Sequence, residues 1–205
     1  MIMQQLITEL ISQGYLKTPA IIDAFYKIRR TDFLLPEFVN EAWVNDPLPI
    51  GHGQTNSQPL TVAFMLELLK PESGQKILDI GSGSGWTTAL LAEIVGSKGK
   101  VSGLERVAEL KEFGQKNASK YHFSNVEFFC RDGTKGLSDK APFDRILVGA
   151  AAFEVPNSLK EQLKIGGRLV IPTESQEIKL IKKLGKNKFN ETSYPGFVFV
   201  PLIEG

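Results

Sequence analysis

Apolar positions recur at helical spacing at the start of the chain, where Leu6, Ile7, Leu10 and Ile11 share a face and Gly14 ends the run. Thr18-Pro19 then reads as an N-cap followed by a first helical residue, which predicts a second short helix over Ala20 to Ile28. From Arg30 to Pro59 the periodicity disappears. Pro36, Pro47, Pro49 and Pro59, with Gly51 and Gly53, exclude long regular elements there. Irregular stretches of this length are uncommon inside compact domains and are more often functional than not.

Beyond the breakers the texture changes. Val62, Met65, Leu66 and Leu69 predict a helix over Gln58 to Leu69, and Lys76 to Ile80 reads as a short buried strand. The alternation continues with a helix over Trp86 to Val95, a strand over Lys100 to Glu105 and a helix over Val107 to Lys120. Strands follow over Val126 to Cys130 and Phe143 to Val148. A helix over Pro156 to Leu163, stopped by Gly166-Gly167, leads into a strand over Arg168 to Pro172. Strands separated by helices imply parallel βαβ units with right-handed crossovers, and so a doubly wound, mostly parallel α/β sheet. The tail predicts an antiparallel hairpin of Glu177 to Leu184 with Phe197 to Ile203, turning through Gly185 to Gly196. No internal repeat is visible. The expected organisation is one domain, with N-terminal helices and loop over 1–59, a core over 60–175 and the hairpin over 176–205.

Composition narrows the partners. A chain of 205 residues, 42% hydrophobic, is long enough to bury a sizeable core. No apolar run approaches the ~18 residues of a membrane span, and Glu9 interrupts the segment where a signal peptide needs an unbroken apolar core. A cytoplasmic, non-membrane protein is expected. The single cysteine, Cys130, excludes an internal disulfide, and with only His52 and His122 beside it no Cys/His metal cluster is expected. A net charge of +1 supplies no field for polyanions, so no nucleic-acid partner is expected. The working unit is taken to be a monomer.

Candidate chemistry gathers at three strand ends. Asp79-Ile80-Gly81-Ser82-Gly83-Ser84-Gly85-Trp86 places glycines where a strand turns into a helix, so that backbone approaches a ligand closely and N–H groups are left for an anionic group. The dinucleotide fingerprint needs glycine where Trp86 stands, and no Lys-Ser/Thr pair follows as in a P-loop. G-x-G-x-G with an acid two residues earlier is instead the spacing of S-adenosylmethionine sites, whose amino-acid end suits loop amides, Ser82 and the carboxylate of Asp79. Glu105, ending the second strand beside Arg106, is placed to accept from ribose hydroxyls. Asp132 is placed to accept from an adenine amino group, with Gly133 letting the ring approach. Each feature alone is bland: a turn, a solvated helix cap, a turn pair. In this order on consecutive strand ends they point to one donor crevice.

The loop Asp46-Pro47-Leu48-Pro49-Ile50-Gly51-His52-Gly53-Gln54-Thr55-Asn56-Ser57-Gln58-Pro59 closely resembles the D-x-P-L-P-I-G-x-G-Q-T-I-S-Q-P signature of the protein-L-isoaspartate (D-aspartate) O-methyltransferases. The likeness extends through Arg30 to Phe33, Asp79 to Trp86, Leu104 to Val107, Asp132-Gly133, Ala141 to Asp144, Gly166 to Pro172 and Phe199 to Leu202. The resemblance implies a Rossmann-like repair methyltransferase that esterifies the free α-carboxylate of L-isoaspartyl residues in damaged proteins and peptides, with D-aspartyl sites as a further substrate. S-adenosylmethionine would be the donor and S-adenosylhomocysteine the product. It also implies that Ser57 is the active-site residue and that Gln54, Thr55, Asn56 and Ser57 fold over the donor. Asn56 stands where isoleucine is usual and Trp86 where tyrosine is frequent. The alternative is a methyltransferase of similar build acting on RNA or a small metabolite, although the 46–59 loop lacks the aromatic or basic groups that read bases.

A carboxylate with pKa of about 4 is ionised at pH 7 and needs no strong general base to attack a sulfonium methyl. Catalysis then rests on alignment at about 3 to 3.5 Å with water excluded, for which a serine hydroxyl suffices. Ser57 has a competing reading as N-cap of the helix opening near Pro59. His52 is expected to be an exposed loop residue and Cys130 a buried small apolar one. The five lysines between Lys179 and Lys188 are expected to mark a solvated sheet edge. Phe197 to Leu202 is apolar enough for core, yet an extended peptide could pair with it.

Overall fold

The computed structural model describes residues 2–204. Two short helices, α1 (Met3–Ser12) and α2 (Pro19–Lys27), open the chain, with Pro19 in the first turn of α2 as its fixed φ favours. The breaker-rich stretch contains only 3₁₀ turns over Arg30–Phe33 and Pro36–Glu41 and a hairpin of β1 (Leu48–Gly51) with β2 (Gln54–Asn56). Its two-residue turn, His52-Gly53, has positive φ at both positions (53° and 69°), as a type I′ turn requires.

The core alternates as expected: α3 (Pro59–Leu69), β3 (Lys76–Ile80), α4 (Trp86–Val95), β4 (Lys100–Glu105), α5 (Ala108–Ser119), β5 (Val126–Cys130) and β6 (Phe143–Val148). After these come α6 (Asn157–Glu161), β7 (Leu163–Thr173), β8 (Glu177–Gly185) and β9 (Lys188–Pro195). The seven-stranded sheet runs β5-β4-β3-β6-β7-β8-β9. The first five are parallel and the last two pairings antiparallel. Strand order reverses at β3, because the chain leaves it first toward β4 and later returns on its other side as β6. Such a switch point opens a crevice at the carboxyl ends of the strands.

Period-two alternation sends Ile77, Val101, Leu147 and Val170 to one face, where α1 to α4 cover them, and Leu78, Ile80, Leu104, Ile146 and Val148 to the other. The first buried cluster is continuous from Leu6 to Leu180 and ties the N-terminal helices to the sheet. Helix α4 is apolar nearly all round because α2 packs over its outer side, with Phe25 edge-on to Trp86 at 5.7 Å between ring centres.

Three expectations are corrected. Gly166-Gly167 does not stop a helix: α6 already ends at Glu161, and the glycines lie inside β7. There the register jumps, five residues along β7 from Leu163 to Arg168 matching two along β6 from Phe143 to Arg145. A side chain on Gly167 would lie 2.8 Å from the Lys164 carbonyl oxygen and 2.9 Å from that of Asp144, so the irregularity needs a residue without Cβ. The terminal hairpin is β8 with β9, turning at Lys186-Asn187, and Phe197 to Ile203 is not its second strand. Phe197 instead stacks on Phe64 of α3 at 5.0 Å, carrying the chain across the sheet's carboxyl edge, where Ala151 and Pro201 form an isolated bridge. The lysine-rich strand is not the edge either: β9 covers β8, and buried Lys183 donates to the carbonyls of Lys160, Glu161 and Leu163. No helix among the described residues is long and apolar enough to cross a membrane.

Candidate active site

At the switch point the turn after β3 faces the turn after β6, close enough that the Gly149 amide donates to the Ile80 carbonyl at 2.7 Å. Around them lies a cleft lined on one side by Ile80, Gly81, Gly83, Leu104, Glu105, Arg106 and Gly133. Its other wall comes from Ile50, Gln54, Thr55 and Ser57 of the hairpin loop and from the Val200 to Ile203 segment. A second cavity adjoins it, walled by Asn56, Asp79, Ser82, Ser84, Trp86 and Thr87. A third, open groove is lined by Pro47, Gln58, Thr61, Val198, Phe199 and Val200. Thr55, Ser57 and Gly149 border all three.

The glycine turn works by shape more than by free amides, which corrects the sequence expectation. Gly81 and Ser82 donate to the Leu104 carbonyl, Gly85 to that of Ser82 and Gly83 to Glu105 Oε2 at 3.0 Å. The reason is the tightness of the turn: folded back over the end of β4, its N–H groups meet acceptors inside the chain. Gly85, φ +86°, faces away from the cleft, and a Cβ there would lie 2.6 Å from the Gly114 oxygen of α5. It is a helix-packing residue and lines neither the cleft nor the adjoining cavities.

The acids divide by role. Glu105 Oε1 accepts from the amides of Arg106 and Val107 at the start of α5, so its carboxylate is held rigidly at the cleft edge and is buried, not a solvated cap. Asp79 is 1% exposed and accepts the hydroxyls of Thr87 and Thr88, both on Oδ2, at 2.8 and 2.6 Å. Burial pushes its pKa up to about 6; the two threonine bonds oppose the rise and nearby Glu105 adds to it. Beside it the Ser82 hydroxyl is buried with no hydrogen-bond partner among the described residues. Asp132 does not line the cleft: its Oδ1 accepts from the amide and hydroxyl of Thr134, and Lys135 pairs with Oδ2, because the carboxylate caps the 3₁₀ turn that Gly133 begins.

The loop residues divide likewise. Ser57 does not cap α3; the N-cap is Gln58, and the Ser57 hydroxyl has no bond to the described chain. Asn56 turns its side chain inward to Arg30, Ser84 and the Phe33 carbonyl. His52 is exposed, as expected, whereas Cys130 is exposed and not buried, because β5 is an outer strand of the sheet. Sequence reasoning missed the Gly149-Ala150 end of β6, whereas the Phe197 to Leu202 segment, expected as a place for an extended peptide, does border the cleft and the groove through Val198 to Leu202. The run Gly149-Ala150-Ala151-Ala152 was the available signal: small residues directly after a buried strand leave room for a ligand.

A crevice at a reversal of strand order, with an acid ending the second strand, takes nucleoside-type ligands. The G-x-G-x-G spacing and the cationic-ligand chemistry of Asp79, with the unpartnered Ser82 hydroxyl beside it, fit the amino-acid end of S-adenosylmethionine. The fold and site are those of a Rossmann-like S-adenosylmethionine-dependent methyltransferase. The family model for protein-L-isoaspartate(D-aspartate) O-methyltransferase matches residues 1–205, and the chain belongs to that family. It is 42% identical over 204 residues to the protein-L-isoaspartate O-methyltransferase of Methanopyrus kandleri, covering 98% of this chain and 90% of the relative. Identity to the enzyme of the same name from Thermococcus onnurineus is 46% over 196 residues, covering 93% of this chain and 88% of the relative. A Plasmodium falciparum structure described as a protein-L-isoaspartate O-methyltransferase, in complex with S-adenosyl-L-homocysteine, superposes with a TM-score of 0.87 at 25% identity, covering 98% of each chain.

Proposed function

We propose that Ser57 orients the carboxylate of an isoaspartyl substrate at the meeting point of the donor cleft and the open groove. The reaction is methyl transfer from S-adenosylmethionine to the free α-carboxylate of L-isoaspartyl residues in damaged proteins and peptides. When bound, the donor supplies an electrophilic methyl on a positively charged sulfur. Asp79 and Ser82 would hold its amino-acid end and Glu105 its ribose, with Gly133 on the wall of the cleft beside them. A Cβ on Gly133 would lie 2.5 Å from Ile80 Cγ2, so the floor of the cleft is already closed there.

The substrate carboxylate arrives ionised, so the chain's task is placement and exclusion of water. The observation that carries this reading is the position of Ser57, which borders both donor cavities and the groove with a hydroxyl not used elsewhere. The groove wall at Val198 to Val200 suits an extended peptide: Val200 gives its carbonyl to the Ala151 amide on one side, and the other side of the segment faces the groove. One chain supplies all three walls, which supports action as a monomer.

The test compares an isoaspartyl peptide with its normal aspartyl twin. The wild-type chain is expected to methylate only the former, and Ser57→Ala to lower kcat by about tenfold or more, the loss of a transition-state hydrogen bond, with the donor KM little changed. Unchanged kcat in Ser57→Ala removes the serine from the reaction.

A further inference from the structure

Beneath the Ser57 loop lies a charged side chain that the reaction does not use. Arg30 is fully buried, and every nitrogen of its guanidinium is engaged. Nε donates to Asn56 Oδ1 at 2.9 Å, and Nη1 to the carbonyls of Ala42 and Val44. Nη2 reaches the carbonyls of Asp46, Asn56 and Ser57 at 2.7, 3.3 and 3.1 Å. The same group sits 5.4 Å from the centre of the Trp86 ring, at the start of α4. Three separate pieces of the 30–59 region are thus gathered on one cation, among them the backbone of Ser57 itself.

Asn56 carries the connection one step further. Its Nδ2 donates to the Ser84 hydroxyl at 3.0 Å, and Ser84 belongs to the glycine turn that walls the donor cavities. The Ser84 carbonyl is in turn held by Asn117 of α5 at 3.1 Å. At 3% exposure the Asn56 amide has no water to exchange these partners with, so each bond lost leaves a buried polar group unpaired. Its side chain hydrogen-bonds both the anchor of the serine loop and the turn of the donor site.

We propose that Asn56 is a positioning residue that couples the two: seating of the donor against the glycine turn sets, through Ser84, Asn56 and Arg30, the place of Ser57. This rests on the donor site described above. Coupling by one buried hydrogen-bonded link has a definite reach. It extends past the residues that touch ligand to the backbone of residues 42–46, which Arg30 holds and which do not line the donor cavities.

The experiment is amide hydrogen exchange on the full chain with and without S-adenosylhomocysteine, followed by steady-state kinetics. In the wild type the ligand is expected to slow exchange over residues 42–46 about fivefold or more, the low end of ordinary coupling between sites. In Ser84→Ala and in Asn56→Leu that remote protection is lost while residues 81–83 stay protected. Asn56→Asp restores it, since a carboxylate still accepts from Arg30 and the Ser84 hydroxyl can turn to donate. Kinetically, both disabling variants lower kcat with the isoaspartyl peptide by more than they raise the donor KM, a split that loss of folded protein does not produce. Equal protection of 42–46 in wild type and Ser84→Ala, or none in the wild type, overturns the proposal. The exchange readout needs no methyl acceptor, so failure to methylate isoaspartyl peptide registers separately. Absence of any heat with S-adenosylhomocysteine would remove the donor site and this coupling together.

Discussion

Acidifying the solution from pH 7 to pH 5 is expected to weaken donor binding about tenfold, with Asp79 responsible. Its carboxyl is almost wholly enclosed, and burial raises its pKa from the ordinary 3.8 to about 6. With that value about nine-tenths of the group is ionised at pH 7 and about one-tenth at pH 5. Only the ionised form attracts the donor's ammonium, and a bound cation returns the pKa toward the ordinary range, so binding drives a proton off. Calorimetry with S-adenosylhomocysteine in two buffers of different ionisation enthalpy should therefore record about three-quarters of a proton released per ligand at pH 5.5 and almost none at pH 7. Asp79→Asn should bind weakly at both pH values and release no proton. An affinity flat between pH 5 and 7 in the wild type, or the same slope in Asp79→Asn, would refute the assignment. Folding of the free chain responds with a definite sign. The folded state holds this proton to higher pH than the unfolded state, so the contribution of Asp79 to stability falls as pH rises from about 4 to about 6. The full cost, at most about 3 kcal/mol, is present above that window. Unfolding in urea should show Asp79→Asn relieving part of that cost at pH 7 and little of it at pH 4.

Arg30→Leu should destabilise the chain by about 3 kcal/mol or more, because the carbonyls of Ala42, Val44, Asp46, Asn56 and Ser57 lose a shared donor inside the protein; urea midpoints measure it. Gly85→Ala should lose about 2 kcal/mol or more from its left-handed φ and the 2.6 Å approach to Gly114, detected as a lowered Tm, and a neutral result would show that α4 and α5 can separate at no cost. Lys183→Met should lose about 1 to 3 kcal/mol with its three carbonyl partners, while Lys179→Met on the same strand stays within about 0.5 kcal/mol; equal effects would return β8 to the role of a solvated edge.

The parallel core was legible because its signals are local. Lys76 to Ile80 and Phe143 to Val148 are short segments built on Ile, Leu and Val, and a switch to helical spacing follows the first of them. The turn after β3 was legible for a related reason: positive φ at Gly81, Gly83 and Gly85 is a demand that sequence states directly. The C-terminal region was misread because its local signals conflict with its packing. Phe197 to Ile203 reads as a strand by propensity, but the stacking of Phe197 on Phe64 draws it across the top of the sheet. The polar stretch Lys188 to Pro195, which reads as a turn, pairs as β9 because an outer strand needs no apolar face.

At the site, residue types and spacing pointed to the donor, through an acid before G-x-G-x-G and an acid ending the next strand, while the role of the serine came from the likeness of the 46–59 loop to a family signature. Tertiary structure decided which of those groups stay available. It turned the glycine amides and the Asp132 carboxylate onto neighbours inside the chain, left the Ser57 hydroxyl free, and drew Asn56 down onto Arg30. That choice is invisible along the chain, because a hydrogen-bonding group serves a ligand only if no nearer partner has claimed it, and nearness is settled when distant segments pack.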